Sequence, residues 1–369
     1  MIKSSVPNPV IPGSGIASPS LVSLIACNKF VLALPFERQA KEFKRMGINI
    51  PKQNMANWII HVATKHLKSL YDLLQIELLK NDINHADETT CQVINEKNRK
   101  AKQKSYMWVY SSGKYAVNPV ILFDYQKTRH GAHPLEFLKD FIGFLNADGY
   151  PGYKKLEKYN KIILIGCYSH VRSKFMDAYK ALNNNEKSGS IAEIGLIYCN
   201  KLFELERKYD ELKLTPDERK QKRELESKPI AEAFFKWAES VLPGTISKSK
   251  IGRAITYTVN QKEWLMNIYL DGRLEISNNR AERSVRPFAI GRNNWMFMYS
   301  ENGAESSSIL YSIVLTAEAN GLVPFMYLNY LFQELPNLQT SKKQLSDFLP
   351  WNLEVQKICK IPSTTTSGS

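Results

Sequence analysis

The chain has 369 residues, of which 43% are hydrophobic, and its formal net charge is +14. This length predicts one large core with an insertion, or two domains. The positive charge indicates a polyanionic partner such as nucleic acid, although a basic protein without such a partner would have the same charge. Its five scattered cysteines argue against a disulfide framework or a four-cysteine zinc site. No apolar run approaches the roughly 20 residues that span a bilayer, so we expect a soluble, cytoplasmic protein.

The N-terminal part divides into an arm and a helical region. Residues 1–20 contain four prolines with glycine and serine, and predict an extended arm. Residues 21–82 show helical apolar spacing, with Gly47 closing the second helix and Pro51 opening the third. Short helices with basic faces suit either a DNA-binding subdomain or a packing collar, and the sequence does not decide between them.

Residues 83–172 have the pattern of a mixed sheet. The strand-like runs ADETTCQVI, YMWVYSS and AVNPVILFDYQ are followed by the helix PLEFLKDFIGFL, the strand LNADGY, the helix GYKKLEKY and the strand KIILIGCYSHV. The order β-β-β-α-β-α-β is that of an RNase H-like core, in which helices cover both faces of the sheet. The predicted fold class is therefore α/β.

The link between the first two strands, EKNRKAKQK, holds five basic residues and one acidic residue. It predicts a long basic hairpin tip, which is either a solvated loop or a surface that contacts DNA phosphates. The candidate DNA-binding residues there are Lys97, Arg99, Lys100, Lys102 and Lys104.

The rest of the chain is mostly helical in pattern. Residues 173–266, with charges of both signs at i,i+4 spacing, predict a helical insertion between the last core strand and the final catalytic helix. Residues 267–335 are expected to form the second part of the core. Residues 336–369 predict a C-terminal tail that ends in the disordered stretch PSTTTSGS.

Three carboxylates stand where a two-metal phosphoryl-transfer site needs them. Asp87 lies in the middle of the first strand and Asp148 at the end of the fourth, and these strands are neighbours in an RNase H-like sheet. Glu282, on a late helix, is the candidate for the third acid. Carboxylates that converge from separate elements can hold two divalent cations about 4 Å apart. A lone strand aspartate is usually structural, so the prediction depends on all three acids.

The helix of Glu282 has its own sequence signals. Ser277 or Asn278 can cap it, and Pro287 lies near its end. A polar stripe that includes Glu282 is expected to face the site. The apolar face expected to pack on the sheet consists of Ala281, Val285 and Phe288.

Three arginines near this acid are candidates for DNA binding. Arg283 and Arg286 can clamp a phosphate, although Arg286 can equally form an i,i+4 salt bridge with Glu282. Arg292, in the segment RNNW, can bind a splayed base.

Several segments in order resemble the transposases of insertion-sequence family sixty-six, a DDE-type group. The most specific is DGRLEISNNRAERSVRPFAIGRNNWMFMYSEN; ADETTCQVI and PLEFLKDFIGFLNADGYPGY are similar to the first- and second-aspartate segments, and GCYSHVRSKF to the cysteine-histidine motif. The similarity extends from the N-terminal helical region to LSDFLPWN, over about residues 8–353.

The resemblance implies that Asp87, Asp148 and Glu282 are the DDE carboxylates of a metal-dependent nuclease and strand transferase. It implies Mg²⁺ as cofactor, with Mn²⁺ as a substitute and no need for ATP. The implied partners are double-stranded DNA at transposon ends and target sites, further copies of the chain on DNA, and accessory proteins of the same element, at the nucleoid. Family members usually carry a further N-terminal part, so we expect a shortened member or a second polypeptide that recognises the ends.

Cys167 and His170 form the C-x-x-H motif of such transposases. As a zinc site this is half a ligand set, and no second half is visible in the sequence, so a structural pair that anchors the insertion on the core is the preferred interpretation. Two alternatives to the transposase are a non-catalytic DNA-binding relic and an RNase H-like nuclease or resolvase.

Overall fold

The computed structural model describes residues 7–159 and 161–362, so the first six residues of the predicted arm lie outside the described part. Residues 7–18 run over the body of the protein, with Val10 and Ile11 buried. The Ser18 side chain accepts a hydrogen bond from the Leu21 amide and so caps the first helix. The N-terminal helices are α1 (Pro19–Phe30), α2 (Phe36–Arg45), α3 (Lys52–Val62) and α4 (Lys68–Leu79).

A mixed sheet follows, as the sequence predicts. Its strands are β1 (Ile83–Asn95), β2 (Lys104–Ser112), β3 (Ile121–Gln126), β4 (Gly143–Asn146), β5 (Ile162–Ile165) and, later in the chain, β6 (Met298–Ser300). The spatial order is β3-β2-β1-β4-β5, and β6 pairs with the far end of β1. The β1–β2 and β2–β3 pairs are antiparallel, whereas β1–β4 and β4–β5 are parallel. The long strand β1 therefore lies at the centre.

Several element boundaries differ from the prediction, and two of them are the most informative. The helix expected over PLEFLKDFIGFL is only α5 (Ala132–Phe137), because Gly143 adopts a φ of 144° and starts β4 instead. α6 (Leu156–Tyr159) then leads to β5. The last strand, expected to reach Val171, ends at Ile165, because Tyr168, Val171 and Phe175 bury one helical face of α7 (Tyr168–Lys180).

A run of helices separates β5 from the late part of the sheet. It continues from α7 through α8 (Asn184–Lys187), α9 (Ile191–Glu211), α10 (Pro216–Lys222), α11 (Lys228–Val241), α12 (Lys250–Asn260) and α13 (Lys262–Met266). These helices share a hydrophobic core of their own. The buried Arg223 joins this run to the segment that follows it, since its guanidinium pairs with Glu206 at 2.7 Å and donates to the Leu274 carbonyl at 2.8 Å.

The final helices return to the sheet. They are α14 (Asn279–Trp295), α15 (Glu301–Ala319), α16 (Pro324–Glu334) and α17 (Leu353–Cys359). α15 packs on β3, and α1 packs on α16. The N-terminal helices and the final helices therefore lie on the same side of the molecule. No helix among the described residues is long and apolar enough to cross a membrane.

The expected C-terminal tail is folded as far as the structure describes it. Phe348 and Val355 are fully buried, and Lys360 pairs with Leu322 in an isolated bridge. Their apolar side chains fill the surface of α16, and this contact outweighs the loop-like composition of the segment. Residues 363–369, most of the stretch expected to be disordered, lie outside the described residues.

Candidate active site

The central strand and its parallel neighbour bring two predicted acids to one level of the sheet. His85 of β1 pairs with Asn146 of β4. Asp87 follows His85 by two residues, and Asp148 follows Asn146 by two residues. Parallel strands advance in step, so Asp87 and the segment after β4 leave the pairing at the same level, and the charge of Asp148 acts on Asp87. The Tyr150 amide donates to Asp148 Oδ1 at 2.9 Å and orients that carboxylate.

Three other carboxyl groups lie close enough to Asp87 for their charges to affect its ionisation. Burial raises the pKa of Asp87 to about 8, and the charges of Glu88, Asp148 and Glu282 contribute to this rise. A hydrogen bond from the Glu88 amide acts in the opposite direction and lowers the pKa. The three predicted acids, Asp87, Asp148 and Glu282, thus lie near one another as a loose carboxylate cluster, in which the ligand oxygens are not all within 4.8 Å of one another.

Glu88 and Arg129 belong to this site and are missing from the sequence prediction. The Arg129 guanidinium forms an ion pair with Glu88 and lies 3.6 Å from Asp148 Oδ2. The Tyr153 hydroxyl donates to Glu88 Oε2 at 3.0 Å. The signal for Glu88 was its position next to Asp87, but that signal is weak because consecutive strand residues face opposite sides.

Asn278 fixes the start of α14 against β1. Its Nδ2 donates to the Ala86 carbonyl at 2.8 Å, and its Oδ1 lies 3.1 Å from His85 Nδ1. Glu282 lies in the first turn of the helix, where its charge acts on Asp87. The predicted cap needs correction: Asn278 occupies the N-cap position, but its side chain bonds to the strand and makes no capping hydrogen bond.

α14 is also longer than predicted, since it runs to Trp295 with Pro287 inside it. Proline removes one helical hydrogen bond, but the buried face continues on both sides of it and keeps the helix on β1 and β2. The predicted apolar face is confirmed, because its three members are buried: Ala281, Val285 and Phe288.

Glu282, Arg283 and Arg286 are exposed on the outer side of α14. Within the described chain no ion pair joins Arg286 to Glu282, and Glu282 Oε1 lies 3.8 Å from His170 Nδ1. Arg283 borders an adjoining cleft. Both arginines are therefore available to an outside ligand.

Two predicted DNA-binding arginines have partners inside the protein. Arg99 pairs with the buried Glu96 at 2.9 Å. Arg292 donates to Thr89 Oγ1 at 3.0 Å and ties α14 to β1. The remaining predicted residues of the hairpin tip are exposed and have no salt bridge within the described chain: Lys97, Lys100, Lys102 and Lys104.

Cys167 and His170 link α7 to the start of α14. Cys167 Sγ accepts a hydrogen bond from the Asn278 amide at 3.2 Å, and burial raises the pKa of the Cys167 thiol to about 11. Their ligand atoms and a carboxylate oxygen of Glu282 all lie within 4.8 Å of one another. The pair thus lies beside the carboxylate cluster.

The fold and the site define an α/β protein whose mixed sheet gathers carboxylates beside its central strand, on a strongly basic chain. This chain belongs to the IS66 transposase family: the model of the Transposase IS66 family matches residues 14–306, and that of the IS66 C-terminal element matches residues 312–351. The resemblance seen in the sequence is thereby confirmed.

The chain is also similar to uncharacterized proteins of Sinorhizobium fredii. It is 28% identical to protein y4qI over 359 residues, which are 94% of this chain and 64% of that protein. It is 26% identical to protein y4hP over 355 residues, which are 91% of this chain and 62% of that protein. The chain therefore spans somewhat less than two thirds of these relatives.

Proposed function

We propose that this chain is the catalytic part of a DNA transposase, with an RNase H-like core and Asp87, Asp148 and Glu282 as its metal-binding acids. The observation that carries the proposal is the convergence of these acids from β1, the end of β4 and α14, in a member of the IS66 transposase family. The strand order β3-β2-β1-β4-β5 supports the RNase H-like assignment, and helices α7–α13 would be the insertion.

The donor set suits Mg²⁺ or Mn²⁺. All the donors are carboxylate oxygens, the ligands that Mg²⁺ prefers. Their mutual repulsion raises the pKa of Asp87 beyond the effect of burial, and a bound cation would relieve that repulsion. Glu88 is already neutralised by Arg129, which leaves Asp87, Asp148 and Glu282 to hold the metal. When bound, the metal would lower the pKa of the attacking hydroxyl and offset charge on the phosphorane-like transition state.

The remaining parts of the site would orient the acids and the DNA. The Tyr150 amide fixes Asp148, and Asn278 fixes the helix that carries Glu282. Arg283 and Arg286 would clamp phosphates beside the acids, because a guanidinium fork matches phosphate geometry. The hairpin lysines would contact the duplex further away.

The finer steps are part of the same proposal. Water would cut the phosphodiester at a transposon end to leave a 3′-hydroxyl, and this hydroxyl would attack target DNA. One phosphodiester replaces another, so no ATP is required. Assembly of several copies on DNA, accessory proteins and residence at the nucleoid would accompany this activity.

The test is cleavage of a labelled duplex that carries the element's ends. We expect products in Mg²⁺ or Mn²⁺ and none in Ca²⁺ or EDTA, because Ca²⁺ prefers longer bonds and looser geometry. Joined products would distinguish a transposase from a simple nuclease. Binding without cleavage in either metal would identify a non-catalytic relic, and equal turnover in EDTA would refute the metal mechanism.

A further inference from the structure

Three side chains of different chemistry meet where α7 begins beside α14. The ligand atoms of Cys167, His170 and Glu282 lie within 4.8 Å of one another. His170 Nδ1 is buried without a hydrogen-bond partner and lies 3.8 Å from Glu282 Oε1. A buried ring nitrogen without a partner is costly, and a ligand held by the three side chains would satisfy it.

Cys167 is placed to serve as a thiolate ligand. It is 1% exposed and occupies the N-cap position of the 13-residue helix α7, where the helix dipole favours negative charge. The Asn278 amide donates to its Sγ at 3.2 Å, and the His170 amide donates to the Cys167 carbonyl oxygen at 3.2 Å. The Asn278 amide would stabilise the sulfur of a metal-bound thiolate.

We infer that Cys167, His170 and Glu282 form a binding site for one zinc ion. Thiolate, imidazole and carboxylate are the ligands of zinc at about 2.0–2.3 Å, which separates the ligand atoms by about 3.5 Å, so movements of about 1 Å complete the site. Three protein ligands leave the fourth position to water, and binding releases the thiol proton to solvent. Mg²⁺ does not bind the thiolate and imidazole of this site, because it takes oxygen ligands.

One consequence rests on the proposed function. Glu282 belongs to both ligand sets, so zinc would draw it away from Asp87 and Asp148. Zinc should therefore inhibit cleavage that Mg²⁺ supports. The binding site itself stands without this consequence.

Cobalt(II) is the probe, because it replaces zinc and its thiolate complexes absorb in the near ultraviolet. Titration of the full chain without DNA, with a phosphine reductant, should give one such band that zinc abolishes. Cys167→Ser should remove the band, whereas Cys199→Ser, which alters another buried cysteine, should keep it. His170→Gln should weaken binding about 10-fold or more, because even the loss of a group that supports a ligand costs about that much.

Absence of the band in the native chain, or its survival in Cys167→Ser, would overturn the site. If Cys167→Ser does not fold, Glu282→Gln and His170→Gln decide, since both side chains are at least a third exposed: an unchanged band in both would overturn it. The ratio of cleavage with and without zinc should fall in the native chain and stay near one in Cys167→Ser. A cobalt band without cleavage in Mg²⁺ would refute the proposed function and leave the zinc site standing.

Discussion

Asp148 can be replaced by asparagine with little change to its contacts. Its Oδ1 accepts the Tyr150 amide, and its other oxygen lies 3.6 Å from Arg129. Asparagine keeps the first contact and removes one negative charge. Asp148→Asn should therefore reduce cleavage by about 100-fold or more. Even the loss of a group that only supports a metal ligand reduces metal affinity or activity by up to about that factor.

The check is a cleavage assay paired with DNA binding measured by fluorescence anisotropy. Binding should be unchanged or slightly tighter, because the variant repels phosphates less. An equal loss of binding and cleavage would mean that Asp148 supports the structure instead.

Glu282 and Glu275 form a matched pair for assigning the third acid. Burial would raise the pKa of Glu275, but hydrogen bonds and charges from His85 and Arg280 lower it to about 2. Its carboxylate thus has partners inside the protein, whereas the Glu282 side chain is 42% exposed. Glu282→Gln should lose cleavage and strand joining while its unfolding temperature stays near that of the native chain.

Glu275→Gln should show the reverse. A depressed pKa stabilises the fold above the unfolded-state value of about 4.5, and this contribution is lost as pH falls towards 2. The variant should therefore unfold at lower temperature at pH 7, by a margin that shrinks below about pH 4, and retain cleavage where it is folded. Activity in Glu282→Gln and none in folded Glu275→Gln would reverse the assignment.

Asp87 should make the metal-free chain less stable as pH rises. Its pKa is about 8 in the folded chain against 3.8 for an ordinary aspartate, so between these values the unfolded chain ionises while the folded chain keeps its proton. Stability from this group is complete below about pH 4 and lost as pH rises through 8. Asp87→Asn removes this loss and should raise the free energy of unfolding at pH 8.5 by on the order of a few kcal/mol.

Urea unfolding in EDTA at pH 5 and pH 8.5 measures the effect. The gain from Asp87→Asn should be larger at pH 8.5, and Mg²⁺ should stabilise the native chain more than the variant. Asp140→Asn, at an exposed position, is the control and should show no pH-dependent gain. A gain that is the same at both pH values would contradict the raised pKa.

At the scale of elements, the tip of the β1–β2 hairpin contains one arginine with a structural role and four lysines that are free to contact DNA. Arg99 neutralises the buried Glu96, so its loss would unfold the tip. The four exposed lysines of the tip, Lys97, Lys100, Lys102 and Lys104, can be neutralised without this damage. Their joint change to glutamine should make the salt dependence of DNA binding less steep, by about 0.9 in log–log slope for each lysine that contacts a phosphate.

The control is the same change at four exposed lysines of the helices that follow β5: Lys180, Lys201, Lys208 and Lys236. A slope that is unaltered by the first set, or equally altered by both, would show that the tip does not bind the duplex.

The elements also show what the sequence can and cannot predict. Periodicity and composition located the strands, and the pairing of first with fourth strand followed from the inferred fold, which made Asp87 and Asp148 neighbours. Boundaries failed at Gly143 and before Cys167, where apolar residues fit both a strand and a helix and tertiary packing decides between them.

Over the whole molecule, the contacts that the sequence did not predict join side chains that are far apart along the chain. His85 and Asn278 are 193 residues apart, and Glu88 and Arg129 are 41 apart. Such hydrogen bonds depend on how helices pack on the sheet, and no local pattern encodes that packing. For the same reason the sequence showed Cys167 and His170 as half a ligand set, although folding brings Glu282 beside them.

The length of β1 can be compared with the length of a DNA duplex. From Asp87 to Asn95, beside the basic tip, the strand advances eight residues, which is about 27 Å at about 3.4 Å per residue. A duplex rises by about the same distance per base pair, so, under the proposed function, a duplex lying along β1 would place about eight base pairs between Asp87 and the tip. Hydroxyl-radical footprints should extend about that far from the cleaved bond on one side, and the quadruple lysine variant should expose the far end first.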